Sequence, residues 1–173
     1  MHTTRMRTTG TGIETREALE IMTQHDAPII SFAPTASSDL DELVGIRIAA
    51  MRESLERVGR FDPVRARERL QSGFSPADTR FVLHETRRVG FVVLKTKADH
   101  LLLDHLYILP EHQGKGIGGA VLATIFDHAD SAGLALRVGA LKGSDANRFY
   151  QRHGFVQVAE EQWDICYQRP PRQ

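Results

Sequence analysis

The stretch that most constrains this chain is His105-Leu106-Tyr107-Ile108-Leu109-Pro110-Glu111-His112-Gln113-Gly114-Lys115-Gly116-Ile117-Gly118-Gly119-Ala120. An apolar strand runs into a proline that ends it, then into a glycine-rich turn, then into the start of an apolar helix. The first N–H groups of a helix have no intrahelical partner, and the dipole adds roughly half a positive charge at that end. Glycines let the backbone come close to an anion and aim successive N–H groups at it. Lys115 adds a mobile point charge. The segment therefore reads as a cradle for a pyrophosphate.

Two nucleotide patterns can be weighed against it. Gly114, Gly116 and Gly119 satisfy G-x-G-x-x-G. That fingerprint expects its first glycine directly after the strand and an acidic residue about 20 positions further on. Here Pro110 to Gln113 intervene, Leu134 stands at the acidic position, and too little chain follows for two mononucleotide-binding halves. The Walker pattern fails because no Gly-Lys-Ser or Gly-Lys-Thr is present.

Bulk properties narrow the class. A chain of 173 residues has single-domain length and can bury roughly 70% of its unfolded surface. Lys plus Arg equals Asp plus Glu at 22 each, which gives no electrostatic support for nucleic acid or a membrane surface as partner. The single cysteine, Cys166, excludes an internal disulfide and suits a reducing compartment. No apolar run approaches the ~18 residues that cross a bilayer, so a cytoplasmic location is expected. The eight histidines show no H-x-x-x-H pairing and no C-x-x-C is present, so no metal site is expected. No internal repeat is seen.

Residues 1–25 are polar and threonine-rich and read as a flexible tail, with Met22 as an alternative start; the domain is expected over 26–170. Pro28–Pro34 reads as a strand. A helix follows, capped by Ser38 or Asp39, with Leu40, Val44, Ile48, Met51, Leu55 and Val58 as one buried stripe ending at Gly59. Pro63–Leu70 reads as a second helix. Phe81–His84 and Val89–Leu94 flank Glu85–Arg88 as a hairpin. His100–Leu109 forms the strand that enters the glycine loop. The next helix reaches Ala132 and is closed by Gly133. Ala135–Leu141 (strand), Ala146–His153 (helix), then Phe155–Ala159 and Gln162–Tyr167 (strands) complete the order. Short turns favour antiparallel pairing early, and the later strand–helix–strand favours a parallel crossover.

Gln113-Gly114-Lys115-Gly116-Ile117-Gly118 resembles the [RQ]-x-x-G-x-[GA] loop of the GNAT N-acetyltransferase superfamily. Ala146-Asn147-Arg148-Phe149-Tyr150-Gln151-Arg152-His153-Gly154-Phe155 resembles that family's A-x-x-F-Y-x-x-x-G-F helix and turn. Two motifs in the right order carry the resemblance over about residues 28–168. It implies an α/β single domain: a mixed, mostly antiparallel sheet of about seven strands flanked by about four helices, with a V-shaped splay between two central parallel strands. It also implies acetyl-CoA as co-substrate, an amine acceptor (small molecule or peptide) as partner, no nucleic acid, no membrane, and an oligomeric state that includes a homodimer among its options.

The resemblance places the pantetheine arm against the backbone of Leu106, Tyr107 and Ile108, with Ile108 as first candidate, and the pyrophosphate on Gln113, Gly114, Lys115, Gly116, Ile117 and Gly118. It gives Tyr150 the role of proton donor to the departing thiolate. Gly143 stands where many members carry Asn, and Asn147, one helical turn on, is either the substitute amide or a helix-surface Asn. A Glu used as base by some relatives is replaced here by Leu102. Asp104, two residues on and hence on the same strand face, is the candidate base; His105 faces the other way unless a bulge reverses it. Glu111 and His112 are expected on the loop surface, and Cys166 as a buried strand thiol. Met51, Arg52, Arg60, Phe61, Phe74 and Trp163 fall where the superfamily chooses its acceptor, and an Arg fork suits a carboxylate. The implied activity is acetyl transfer to a primary amine by direct transfer. The alternative is an acyl-CoA-binding sensor or assembly protein that keeps the cleft without turnover.

Overall fold

A computed structural model describes residues 27–172. The expected tail, residues 1–25, lies outside them. The chain begins with β1 (Ile30–Pro34), and a 3-10 turn at Ser37–Asp39 leads into helix α1 (Leu40–Arg57). The Asp39 carboxylate accepts from the Ala36 N–H at 2.7 Å and closes that turn, rather than capping α1 itself.

The buried face of α1 is Leu43, Val44, Ile46 and Arg47. This corrects the expected stripe: Ile48, Met51 and Leu55 are only half-buried and Val58 is 39% exposed. The reason is tertiary. The C-terminal half of α1 overhangs a cavity that Met51 and Leu55 line, whereas Ile48 still packs on the core cluster. Helix α2 (Pro63–Gly73) starts where Pro63 fits the first helical position, and the Asp62 carboxylate takes the N–H groups of Val64 and Arg65 at 3.0 and 3.1 Å.

Strands β2 (Thr79–His84) and β3 (Arg87–Thr96) form the expected hairpin, closed by Glu85 and Thr86 at φ of 50° and 69°. Strand β4 (His100–Ile108) runs into the glycine loop, and α3 (Ile117–Ala132) follows, ended by Gly133. Then come β5 (Ala135–Leu141), α4 (Ala146–Arg152), β6 (Val156–Glu160) and β7 (Asp164–Arg169). The last two strands start one or two residues later than their hydrophobic pattern suggests. Phe155 is recruited into the core beside Tyr150 and Phe126, so it cannot extend the exposed edge strand β6.

The seven strands form one sheet in the order β1-β2-β3-β4-β5-β7-β6. Only β4 and β5 run parallel; all other neighbours are antiparallel. On one face, α1 and α2 cover a cluster that includes Leu43, Leu70, Phe81, Phe91 and Val93. On the other, α3 and α4 cover Val121, Leu122, Leu103, Leu136 and Tyr150. The expected mixed α/β architecture with four helices is the one observed.

Candidate active site

The parallel ladder between β4 and β5 runs from His100–Ala135 only as far as Leu103–Val138. Beyond that rung the strands separate, and among the described residues the β5-facing edge of β4 from Asp104 to Ile108 has no ladder partner. Backbone polar groups left in this way need another donor or acceptor. A cleft of about 660 Å³ opens at the separation, lined by Leu106, Tyr107, Ile108, Val138, Ala140, Tyr150 and the glycine loop, among others.

At one end of the cleft, Gly114 and Gly116 adopt φ of 71° and 80°, a conformation that costs other residues roughly 1–2 kcal/mol. Gly116 occupies the cap position of α3 and has no side chain to offer. The first helical bond of α3 is Ala120 N–H to the Gly116 carbonyl at 3.0 Å. Among the described residues no backbone carbonyl accepts from Ile117, Gly118 or Gly119. Those three N–H groups and the dipole behind them suit a phosphate. Gly118 and Gly119 are small for a different reason: a Cβ there would sit 3.1 Å from the Phe149 ring and 3.1 Å from His153 Nε2. The close approach is thus to α4 and its end, not to the sheet. Gln113 donates from Nε2 to the Ile108 carbonyl at 2.8 Å, tying loop to strand. The expectation that Ile108 leads the pairing with a ligand therefore meets competition from Gln113. Lys115 is exposed and does not line the cleft, whereas His112 does.

A bulge decides what faces the other side. Val93 pairs with His105 but Leu94 pairs with Leu103, so β4 carries one extra residue, Asp104, at this point. The alternation is reversed there, and His105 joins Leu102 on the α1/α2 side, with its ring stacked on Tyr107 at 5.4 Å and edge-on to Phe91 at 6.4 Å. Asp104 reaches the same side, where Lys95 Nζ meets its carboxylate at 2.5 Å. Burial pulls the Asp104 carboxyl upward, but the Lys95 bond and the charges of His105 and Lys97 outweigh it, and its pKa is lowered. Burial holds His105 down to about 4 against the pull of Asp104, with Arg47, Lys95 and Arg69 acting in the same sense as burial. His105 is therefore neutral at neutral pH.

Tyr150, 6% exposed, lines the cleft, and its ring is packed edge-on by Phe149 and Phe155. Burial, and then the neighbouring Tyr107, raise its pKa, so it stays protonated. Asn147 does not come to the cleft. Its amide nitrogen donates to the carbonyls of Leu141 and Ser144 at 2.8 and 2.9 Å, and its oxygen accepts from Tyr167 at 3.0 Å. The side chain holds the β5–α4 turn instead of standing in for a ligand-binding amide, because its position three residues before Tyr150 lies against that turn.

A second cavity, about 440 Å³, lies under α1 and α2 and meets the first around Met51, Asp104, His105, Tyr107, Gly139 and Leu141. Met51, Arg60 and Trp163 line it, with the Arg60 guanidinium 3.8 Å from the Trp163 ring centre. Arg52 stacks on Phe61 at 4.5 Å outside it, and Phe74 packs in the core below α1. The arrangement is a two-sided site: an anion cradle and a free strand edge on one side, a small polar chamber on the other, joined where β4 and β5 part.

The profile of the acetyltransferase (GNAT) domain matches residues 76–157. Over those residues the chain matches a GNAT acetyltransferase domain. No curated protein sequence matches it. Among solved structures it is similar to the PaiA N-acetyltransferase of Thermoplasma acidophilum in complex with coenzyme A (17% identity, 82% of this chain and 99% of that chain, TM-score 0.67). It is similar also to an acetyltransferase of Thermus thermophilus (21%, 83% and 98%, TM-score 0.64). A third similar structure is the ribosomal-protein-S18-alanine N-acetyltransferase of Escherichia coli (15%, 82% and 94%, TM-score 0.62). These likenesses concern the fold.

Two residues outside the matched span differ from what the sequence suggests. Cys166 is half-buried on the chamber wall, not in the core, and its thiol donates to Glu161 at 3.7 Å. Burial, then Glu161, raise its pKa, which leaves it a thiol rather than a nucleophile. Arg47 is buried beneath α1 and lines the chamber, a placement the sequence reading misses. The signal is present: position 47 falls three residues after Val44 and four before Met51, inside the apolar stripe. Among the described residues no cluster of three or more His, Cys, Asp or Glu is placed to hold a metal, and no helix is long and apolar enough to cross a membrane.

Proposed function

We propose that the protein is an acetyl-CoA-dependent N-acetyltransferase that moves an acetyl group to a primary amine by direct transfer in a ternary complex. The observation that carries this reading is the end of the β4–β5 ladder at Leu103–Val138, with one cavity opening on each side of it. Acetyl-CoA supplies an activated thioester. The N–H groups of Ile117, Gly118 and Gly119 and the loop from Gln113 to Gly118 would hold its pyrophosphate, with Lys115 swinging in as a screened charge. The edge of β4 at Leu106, Tyr107 and Ile108 would pair with its amide-rich arm as an added strand does.

The acceptor would enter the chamber below α1. An ammonium must lose a proton before its nitrogen can attack, and the Asp104 carboxylate, paired with Lys95, would attract it and take that proton. The Tyr150 phenol would donate its proton to the sulfur as the carbon–sulfur bond breaks. Much of the rate would come from holding both reactants at the splay.

Thermal shift with acetyl-CoA, CoA, NADH and NADPH, each at about 1 mM, tests the donor. A ligand at 100 times its dissociation constant stabilises by about 2.7 kcal/mol, roughly 5–10 °C for this size. Acetyl-CoA and CoA should shift the protein and the nicotinamides should not. Release of thiol with an amine then separates an enzyme from a binding-only sensor.

A further inference from the structure

The α1/α2 wall of the chamber carries a charge that the fold does not use. Arg47 is 6% exposed. Its Nη1 donates to the Ala66 carbonyl at 2.5 Å, and its guanidinium carbon lies 6.0 Å from the centre of the Tyr107 ring. Among the described residues Nε has no hydrogen-bond partner. Among the described residues no carboxylate comes within ion-pair distance of it. A guanidinium presents five donors and keeps its charge at any physiological pH. Burying one with a single carbonyl bond and no counter-ion is unfavourable unless something else completes it.

The neighbours complete it only in part: the Tyr107 phenol is close enough to share a hydrogen bond with it but carries no charge to offset its own. Arg65 and Arg69, one turn apart on α2, line the same wall and add to its positive charge. The chamber's carboxylates are occupied or lie elsewhere. Asp62 caps α2, Asp104 is paired with Lys95, and Glu161 and Asp164 stand on the β7 side near Cys166. The chamber is thus polarised, cationic under the helices and anionic toward the splay and β7.

We infer that Arg47, supported by Arg69 and Arg65, is the subsite for a carboxylate on the acceptor, and that the acceptor is a small amino carboxylate. Its carboxylate rests on the guanidinium wall and its amine points to Asp104 at the splay. This rests on the acetyl-transfer reading given above. The planar fork of Arg matches a carboxylate better than it matches a neutral group. A chamber of about 440 Å³ is near the small end for ligand sites, which run from roughly 300 to 1,000 Å³.

The test uses the full chain, acetyl-CoA and a thiol reagent. The acceptors are α-, β- and γ-amino acids, each compared with its primary amide and its decarboxylated amine, with 2-aminoethylphosphonate as a phosphonate arm. The best amino carboxylate should exceed its own amide in kcat/KM at least about tenfold. In Arg47→Gln that ratio should fall to near one while the acetyl-CoA thermal shift stays as in wild type. Arg69→Gln, at an exposed position that does not threaten the fold, should raise KM for the same acceptor, more so at low salt. Equal use of amides or simple amines, a phosphonate preferred to every carboxylate, or an unchanged ratio in both variants would overturn the inference. Absence of an acetyl-CoA shift in wild type would count against the transfer reading instead. The subsite is then read by thermal shift with amino carboxylates alone, which should stabilise wild type and not Arg47→Gln; no stabilisation of either sinks it.

Discussion

Asp104 and His105 are adjacent in sequence yet face the same side of β4, because the bulge opposite Val93 and Leu94 adds one residue to the strand and breaks the normal alternation there. His105 thereby enters a half-buried corner where desolvation, and then the cations Arg47, Lys95 and Arg69, hold its pKa at about 4, below the ordinary 6.5. Between those two pH values the unfolded chain carries a proton that the folded chain refuses. Unfolding takes up that proton, so stability falls as pH drops from 6.5 toward 4 and this contribution is fully present only above 6.5. The loss should be on the order of 2–3 kcal/mol. Thermal unfolding across this range should show it in wild type and a flatter profile in His105→Gln; equal slopes would count against the neutral imidazole.

Tyr150 should matter to the chemical step and little to binding. Tyr150→Phe keeps the ring packing against Phe149 and Phe155 and removes only the phenolic proton. With any acceptor that releases thiol, kcat should fall by about 10² or more, and KM for acetyl-CoA should change by less than about twofold. A variant with wild-type kcat would assign the tyrosine to packing alone.

The glycine loop gives the opposite pattern. Gly116 has φ of 80° and caps α3 with nothing but backbone. A β-branched residue in that conformation costs about 1–2 kcal/mol and turns N–H groups away from the cradle. Gly116→Val should weaken acetyl-CoA binding at least about tenfold by calorimetry while the protein still unfolds cooperatively. Undiminished affinity would move the phosphates elsewhere.

Legibility in the sequence follows the range of the interactions. The strand–glycine–helix segment and the α2 start at Pro63 are decided by neighbours within a few residues, and both are where the sequence puts them. The bulge at Asp104 depends on how β3 pairs with β4, so nothing local marks it, and strict alternation alone puts His105 on the wrong face. The overhang that half-exposes Met51 and Leu55 depends on where the sheet splays. Asn147 looks available because helical spacing puts it near Tyr150, but its amide is consumed by Leu141, Ser144 and Tyr167. Arg47 escapes notice because a charged residue on a helix usually faces water.

The β2–β3 turn offers a stability test remote from the site. Glu85 and Thr86 both adopt positive φ, which a two-residue hairpin turn demands and a β-branched residue resists. Thr86→Gly should stabilise by about 1 kcal/mol, a rise of roughly 2–4 °C in Tm, with acetyl-CoA affinity unchanged. A lower Tm would mean that the Thr side chain contributes more than its strain costs.

The most direct measurement is hydrogen exchange with and without saturating acetyl-CoA. Among the described residues the N–H groups of Ile117, Gly118 and Gly119 and the edge of β4 from Asp104 to Ile108 have no partner across the splay, so their exchange should slow when a ligand supplies one. Acetyl-CoA binding at the splay predicts protection in peptides covering 104–108 and 114–119, and none in the β2–β3 hairpin. Protection confined to other segments, or the same protection produced by NADH, would contradict it.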